Sequence, residues 1–191
     1  MKESILYKIT RPIITFLFKV IYRPTIINKD NINNNGRLVL VGNHTSNLDC
    51  LLLMSCTKRV IHFLAKDELS KGPFSFIFKK FGLIFVNRRE KDKKSLTTAI
   101  NYLNEDRVVL VFPEGTINRT NNVILPFKYG AVKMSSVTDS YITPFVITGK
   151  YKILRKSITI TFLKPYKITS DLELENKKLE NIISNSLIKR R

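Results

Sequence analysis

The sequence has few residues that could form disulfide bonds or bind a metal ion, and no apolar run long enough to cross a bilayer. Only two of its 191 residues are cysteines. Cys50 and Cys56 have no CxxC spacing and no second pair, which argues against a zinc site, so we interpret them as free thiols in a reducing compartment. The longest uncharged apolar run, Pro12 to Phe18, is far shorter than the ~20 residues of a transmembrane helix. No small-residue cleavage site follows it, which argues against a secretory signal.

Acidic residues are scarce: 33 Lys and Arg stand against 15 Asp and Glu, a formal net charge of +18. This excess favours an anionic partner, which could be a membrane surface, a phosphorylated substrate or a nucleic acid. The sequence contains no recognisable nucleic-acid motif or basic recognition helix, so we expect no nucleic-acid partner. It also lacks a Gly-x-Ser-x-Gly sequence and a metal-binding histidine cluster, which disfavours a hydrolase. A non-enzymatic basic protein that binds membrane or nucleic acid stays open as the alternative class.

Residues 1–27 are basic and apolar, and their periodicity predicts an amphipathic helical segment. On a helical wheel, large apolar residues share one side: Ile5, Ile9, Ile13, Phe16, Leu17 and Val20. Lys8, Arg11 and Lys19 fall on the other side. Such a helix suits a membrane interface, and the alternative is that its apolar side packs on the domain. Pro12 is expected to kink this helix or split it in two.

A histidine lies in the turn after a short buried strand. Leu38 to Val41 predict the strand, and the residues that follow predict a turn and then a helix. Ser46 and Asp49 have the spacing of a capping box, with Ser46 at the cap. An acidic side chain there reaches back toward His44 and could orient its ring as a general base. The alternative is that Asp49 only caps the helix and His44 is a loop residue.

Polar residues also follow three other predicted strands. The strand from Val60 to Leu64 leads to Lys66, a candidate phosphate ligand or a solvated surface lysine. The segment after Gly82 ends in an arginine pair that begins at Arg88, and arginine binds phosphate oxygens bidentately. Val108 to Phe112 predict a central parallel strand, which is followed by Pro113-Glu114-Gly115-Thr116.

The pattern Asn43-His44-x-x-x-x-Asp49 resembles the first motif of the glycerolipid acyltransferases, in particular the 1-acyl-sn-glycerol-3-phosphate (lysophosphatidate) acyltransferase family. Further segments resemble that family's other motifs, in family order: Gly82, Phe85 and Arg88; Phe112 to Thr116; and Thr143 to Val146. The family usually has an arginine directly after the threonine of the third motif, whereas this chain has Ile117. Arg119 is a candidate substitute for that missing phosphate ligand.

The resemblance implies transfer of a fatty acyl chain from a thioester to the sn-2 hydroxyl of lysophosphatidic acid, which makes phosphatidic acid for phospholipid biosynthesis. The donor would be acyl-coenzyme A or an acyl carrier protein, with no cofactor and no metal. Glycerol-3-phosphate or another lysolipid is the alternative acceptor. His44 would take the proton of the acceptor hydroxyl, with Asp49 orienting the imidazole ring. Substrate-binding residues would be Arg88 at the phosphate, with Glu114, Gly115, Thr116, Lys66 and Arg119.

The expected fold is a single α/β domain over residues 36–191, with a mostly parallel central sheet flanked by helices on both faces. We expect segment 1–27 to dock this domain on an anionic membrane surface. Because the implied acceptor and product reside in the membrane, we expect a peripheral or monotopic protein at the cytoplasmic face of the cell membrane. Pro144, within the strand Tyr141 to Ile147, favours an edge position or a strand start.

Overall fold

Seven strands form one sheet in the described part of the chain, which comprises residues 5–72, 75–87, 93–169 and 171–190 of a computed structural model. In chain order the strands are β1 (Thr25–Ile27), β2 (Leu38–Gly42), β3 (Ile61–Lys66), β4 (Ile84–Val86), β5 (Val108–Val111), β6 (Tyr141–Gly149) and β7 (Ile158–Phe162). Their order across the sheet is β1-β7-β6-β2-β5-β3-β4. All neighbours are parallel except β6 and β7. The predicted mostly parallel α/β sheet is therefore confirmed.

Helices cover both faces of this sheet. They are α1 (Ile5–Tyr22), α2 (Asp49–Cys56), α3 (Ser75–Lys80), α4 (Lys93–Asn104), α5 (Gly130–Thr138) and α6 (Leu172–Ile188). Because side chains alternate along a strand, Leu38 and Leu40 of β2 pack in the core on the α1 and α2 face. Val39 and Val41 pack in a second core with α4, α5 and α6. The N-terminal helix and the helices on both faces are confirmed.

Strand β5 occupies the interior of the sheet, between β2 and β3, and all its residues are buried. This confirms the central, parallel position predicted for it. Its run of valine and leucine fits a strand that is covered by helices on both faces.

The expectation of an edge position for Pro144 is wrong, because β6 lies between β7 and β2. Ile142 pairs with Tyr166 and Phe145 pairs with Phe162, so Thr143 and Pro144 lie opposite the three residues of segment 163–165. The Pro144 carbonyl accepts a hydrogen bond from the backbone N–H of the first residue in that segment. A strand residue points its nitrogen and its carbonyl toward the same neighbour, so the missing N–H of proline faces this irregular step. An interior proline is tolerated where the ladder is already interrupted.

Helix α1 is continuous through Pro12, which excludes a split in two. Its buried side chains are Tyr7 and Phe18, and the Arg11 guanidinium donates to the carbonyl oxygen of Thr57. The alternative in which the predicted apolar side packs on the domain is therefore wrong. That side is exposed, by 45 to 74%, at all six predicted positions: Ile5, Ile9, Ile13, Phe16, Leu17 and Val20. None of the helices in the described ranges is long and apolar enough to traverse a membrane.

Candidate active site

The candidate site lies at the edge of the sheet where parallel strands end. Because β2 and β5 are adjacent and parallel, the residues that follow them meet at the same edge. His44 comes two residues after β2, and Phe112 comes directly after β5. Their rings stack with 4.0 Å between centroids and 10° between planes. The strand ends thus bring two predicted motifs into direct contact.

The structure places His44 beside Asp49, with 2.9 Å between Nδ1 and Oδ2. Asp49 is fully buried, whereas the His44 side chain is 14% exposed. A carboxylate only accepts hydrogen bonds, so Nδ1 carries the proton of the neutral ring and Nε2 keeps a free lone pair. This arrangement allows Nε2 to take a proton from a bound hydroxyl.

The predicted helix cap at Ser46 is displaced by two residues. Helix α2 begins at Asp49, its cap residue is Leu48, and the Ser46 hydroxyl accepts from the Leu48 N–H. The Asp49 carboxylate still reaches back, accepting from the backbone N–H groups of Thr45 at 2.6 Å and Ser46 at 2.9 Å. Asp49 Oδ2 therefore stabilises the tight turn before the helix, and the same oxygen lies within hydrogen-bond distance of His44 Nδ1.

The other oxygen of Asp49 accepts from two hydroxyls, those of Thr45 at 3.0 Å and Tyr151 at 2.7 Å. Five donors therefore surround a carboxylate that has no contact with solvent. A buried charge is tolerated when its lone pairs are all satisfied in this way. Burial and the neighbouring carboxylate raise the pKa of Tyr151 above its usual range, so its hydroxyl keeps its proton as a donor.

Asn43, next to His44, has a structural role. Its side-chain amide donates to the carbonyl of Ile147 at 2.9 Å and accepts from the Ile147 N–H at 2.8 Å. These two bonds attach the turn to β6. The side-chain amide therefore hydrogen-bonds the backbone of β6 through both its nitrogen and its oxygen.

Glu114 supports the same turn from the β5 side. Its Oε1 accepts from the backbone N–H of His44 at 3.2 Å, and its Oε2 accepts from the N–H of Leu125 at 2.8 Å. Burial raises the pKa of Glu114, and the two backbone hydrogen bonds oppose this rise. Both oxygens are thus committed to the backbone, and a direct contact of Glu114 with substrate stays a prediction.

Three cavities border the His44 ring. The polar cavity, of about 600 Å³, is lined by Glu114, Asn118, Lys156 and Arg190 among others. The large apolar cavity, of about 940 Å³, lies between α2, β3 and α3, and the small apolar cavity, of about 450 Å³, lies beside β4, β5 and α5. Since His44 alone among the described lining residues borders all three, groups bound in different cavities can meet at its ring.

The structure distributes the predicted substrate-binding residues over these cavities. Lys66, Thr116 and Arg119 line the large apolar cavity, together with Ile117, the residue that departs from the family pattern. Gly115 lines the small apolar cavity. Glu114 lines the polar cavity. Arg88 lies outside the described residues.

Gly115 turns the chain after β5 with a φ of +70°, in the left-handed region that favours glycine. A Cβ at this position would lie 2.9 Å from the Lys128 Nζ. Lys128 itself lines the small apolar cavity and was not among the predicted site residues. Its position in the sequence, two residues before α5, carries no signal of a role at the site.

Cys50 and Cys56 are free thiols, as interpreted from their spacing. Burial raises the pKa of each to about 12. Within the described ranges, no three side chains of His, Cys, Asp or Glu are arranged to bind a metal ion.

A family model described as acyltransferase matches residues 23–148. Among curated proteins, the chain is 27% identical over 176 residues to the 1-acyl-sn-glycerol-3-phosphate acyltransferase of Borreliella burgdorferi, covering 86% of this chain and 70% of that protein. It is 32% identical over 123 residues to the protein of the same name from Helicobacter pylori, covering 62% of this chain and 51% of that protein. It is 34% identical over 115 residues to the human alpha form, covering 58% of this chain and 40% of that protein. The chain thus spans about half or less of the length of the last two relatives.

The fold is also similar to a solved structure, the crystal structure of the 1-acyl-sn-glycerophosphate acyltransferase from Thermotoga maritima. The TM-score is 0.74 at 21% sequence identity, with 96% of this chain and 78% of that chain covered. At this identity the likeness concerns the fold.

Proposed function

Because the chain belongs to the acyltransferase family, we propose that it transfers a fatty acyl chain from a thioester to the sn-2 hydroxyl of 1-acyl-sn-glycerol-3-phosphate. The product is phosphatidic acid. The observation that carries this proposal is His44, whose Nδ1 lies 2.9 Å from a buried carboxylate and whose ring borders three cavities. The names of the relatives from three organisms support the choice of acceptor.

In the proposed mechanism, His44 Nε2 takes the proton of the acceptor hydroxyl as its oxygen attacks the thioester carbonyl carbon. The resulting imidazolium is stabilised by the carboxylate of Asp49. The tetrahedral intermediate then collapses, its carbon–sulfur bond breaks, and the imidazolium returns the proton to the leaving thiolate. Both substrates are bound together, so no acyl group is attached to the protein. Holding the two reactants side by side supplies much of the rate enhancement.

The large apolar cavity is the proposed site for an acyl chain. Its wall is formed mainly by aliphatic and aromatic side chains of α2, β3 and α3. Lys66 and Arg119 line the same cavity and are the proposed ligands of the acceptor phosphate. Arg119 borders the cavity together with Ile117, which supports Arg119 as the substitute for the family's arginine.

The test is acyl transfer from acyl-coenzyme A and from acyl carrier protein to lysophosphatidic acid, glycerol-3-phosphate and other lysophospholipids, with the product identified by mass spectrometry. We expect phosphatidic acid acylated at sn-2. Transfer only to glycerol-3-phosphate or another lysolipid would replace the proposed acceptor. Arg119→Ala should raise KM for lysophosphatidic acid more than KM for the donor, and equal effects on both would remove Arg119 from the phosphate site.

We also propose that α1 docks the domain on the cytoplasmic leaflet of the cell membrane as a peripheral or monotopic element. Its exposed apolar side carries Phe16 at 67% exposure and Ile13 at 59%, and an aqueous surface rarely keeps such a contiguous patch. The β6–β7 loop, whose Leu154 N–H donates to the Ile21 carbonyl at the end of this helix, also exposes Ile153 and Leu154, by 69% and 56%. Lys8 and Lys19, which are exposed on the helix, and the basic residues of the loop would contact anionic headgroups.

Flotation with vesicles tests this docking. The native chain should float with vesicles that contain anionic lipid, and less so at high salt, because ionic screening weakens headgroup contacts. Replacing Ile13 and Phe16 by Ser should lower partitioning at least about tenfold, since burying such a side chain contributes ~1.5–3 kcal/mol. Leu174→Ser is the matched control, because Leu174 is 65% exposed on α6. Equal flotation of both variants would refute the docking surface.

A further inference from the structure

We propose that Tyr151 is a positioning residue for the His44–Asp49 pair and that it couples the seating of α1 to this pair. The inference rests on the proposed function for its kinetic test and adds to it a residue that none of the motifs contains. Tyr151 lies in the loop between β6 and β7, and its hydroxyl donates to Asp49 Oδ1 at 2.7 Å.

Tyr151 supplies a kind of support that the turn around His44 does not. The other donors to Asp49 come from His44, Thr45 and Ser46, which all belong to the same short turn. These local bonds fix the internal shape of the turn. Tyr151 is the only described donor from a distant segment, so it fixes the carboxylate relative to the rest of the domain.

The Tyr151 ring is held by α1. Its centroid lies 6.2 Å from that of Phe18 and 5.6 Å from that of Tyr22, with edge-to-face angles of 69° and 85°. The loop is also tied to the end of α1, because the Leu154 N–H donates to the carbonyl of Ile21. Leu154 has a φ of +56°, an unfavourable conformation for leucine that this contact helps to maintain.

A continuous path of contacts thus leads from the exposed helix to the proposed base. Phe18 and Tyr22 contact the ring of Tyr151, its hydroxyl contacts Asp49, and Asp49 contacts His44. A shift of α1 against the domain would move the hydroxyl away from a carboxylate that is fully buried, and a buried acceptor that loses a donor is costly. The base is therefore best aligned when α1 is seated as observed.

Tyr151→Phe tests the first part of the proposal, because it removes the hydroxyl and keeps the ring that packs on α1. We expect kcat for acyl transfer to fall about tenfold, with KM for both substrates within about twofold and thermal unfolding close to native. Tyr141→Phe makes the same chemical change at a residue 40% exposed at the start of β6, and should leave kcat unchanged. Native kcat in Tyr151→Phe, or a fall that Tyr141→Phe reproduces, would overturn the positioning role.

A double-mutant cycle tests the coupling to α1. Phe18→Leu should lower kcat in the native background and have little further effect in the Tyr151→Phe background, because both changes act through one hydroxyl. If Phe18→Leu fails to fold, Tyr22→Leu replaces it, since Tyr22 is only partly buried. Effects that multiply independently would overturn the coupling.

Nuclear magnetic resonance of the His44 ring separates this proposal from the proposed function. Tyr151→Phe should shift the Nδ1 proton and nitrogen signals of His44, whereas Tyr141→Phe should leave them in place. If the native chain transfers no acyl group, the proposed function is refuted, but this spectrum still tests the positioning role of Tyr151. Unchanged signals in Tyr151→Phe would refute the positioning even in an active enzyme.

Discussion

Replacing Asp49 by Asn should remove the charge next to His44 and keep the local geometry. Oδ2 accepts from three N–H groups and Oδ1 accepts from two hydroxyls. An asparagine amide fits this environment in one orientation, with its oxygen in place of Oδ2 and its NH2 group in place of Oδ1. The hydroxyls of Thr45 and Tyr151 can rotate and accept from that NH2 group. His44 can then keep its proton on Nδ1.

The expected loss follows from the missing charge. Two unit charges about 4 Å apart at an effective dielectric constant of about 20 interact by ~4 kcal/mol, an upper bound for stabilisation of the imidazolium. This corresponds to a fall of about 10²- to 10³-fold in kcat for acyl transfer, measured as the rate at which the donor thiol is released, with KM nearly unchanged. Asp171→Asn is the control, because Asp171 caps α6 far along the chain and should leave kcat native. A folded Asp49→Asn variant with kcat within threefold of native would refute the role of the charge, and an unfolded one would refute the orientation of the amide.

Further substitutions test the packing and the electrostatics around the site. Gly42→Ala should lower the free energy of unfolding by about 3 kcal/mol or more, because a Cβ there would lie 2.3 Å from the Phe145 ring, whereas Gly130→Ala meets no atom within 4 Å and should be tolerated in thermal unfolding. Burial raises the pKa of Glu114 above its ordinary value of 4.5, so its contribution to stability is present at low pH and lost as pH rises through the raised pKa. Denaturant unfolding should therefore show the native chain losing stability relative to Glu114→Gln between pH 4.5 and neutral pH, and a constant difference would contradict this. Cys56, whose pKa is raised to about 12, should resist alkylation at pH 8 until the protein unfolds, and rapid modification of native protein would contradict its burial.

Local patterns in the sequence predicted the interior strands β2 and β5, whereas β1 lies within segment 1–27, which was predicted to be helical. Four apolar residues from Leu38 predicted β2, and the turn residues after them placed His44 beyond its end. The run from Val108 predicted an interior parallel strand, since no polar residue interrupts it. These inferences depend on neighbours along the chain, because a short continuous apolar run bounded by turn residues is itself the signal of a strand that is buried on both faces.

The turn chemistry was predicted less accurately. Ser46 and Asp49 have capping-box spacing, but the helix begins at Asp49 because the chain first makes a turn that the carboxylate stabilises. Pro144 suggested an edge, yet it lies inside the sheet at an irregular step of the ladder. In the first case local hydrogen bonds within the turn selected the outcome, and in the second the pairing of distant strands selected it.

Contacts between distant segments were not predictable from one sequence. Tyr151 reaches Asp49 across 102 residues, and Asn43 reaches Ile147 across 104 residues. The substrate contact predicted for Glu114 stays a prediction, and its hydrogen bonds with the backbone N–H groups of His44 and Leu125 were not predicted. No periodicity or motif spacing encodes such pairs, because they arise only when the strands that carry them are assembled side by side.

The most direct test of the central claim is acyl transfer to lysophosphatidic acid in liposomes, comparing the native chain with His44→Ala using both thioester donors. We predict that the native chain makes phosphatidic acid from at least one donor and that His44→Ala, with native thermal unfolding, loses at least about 10³-fold in rate. A folded His44→Ala variant that retains native activity would contradict the role of His44 as the base.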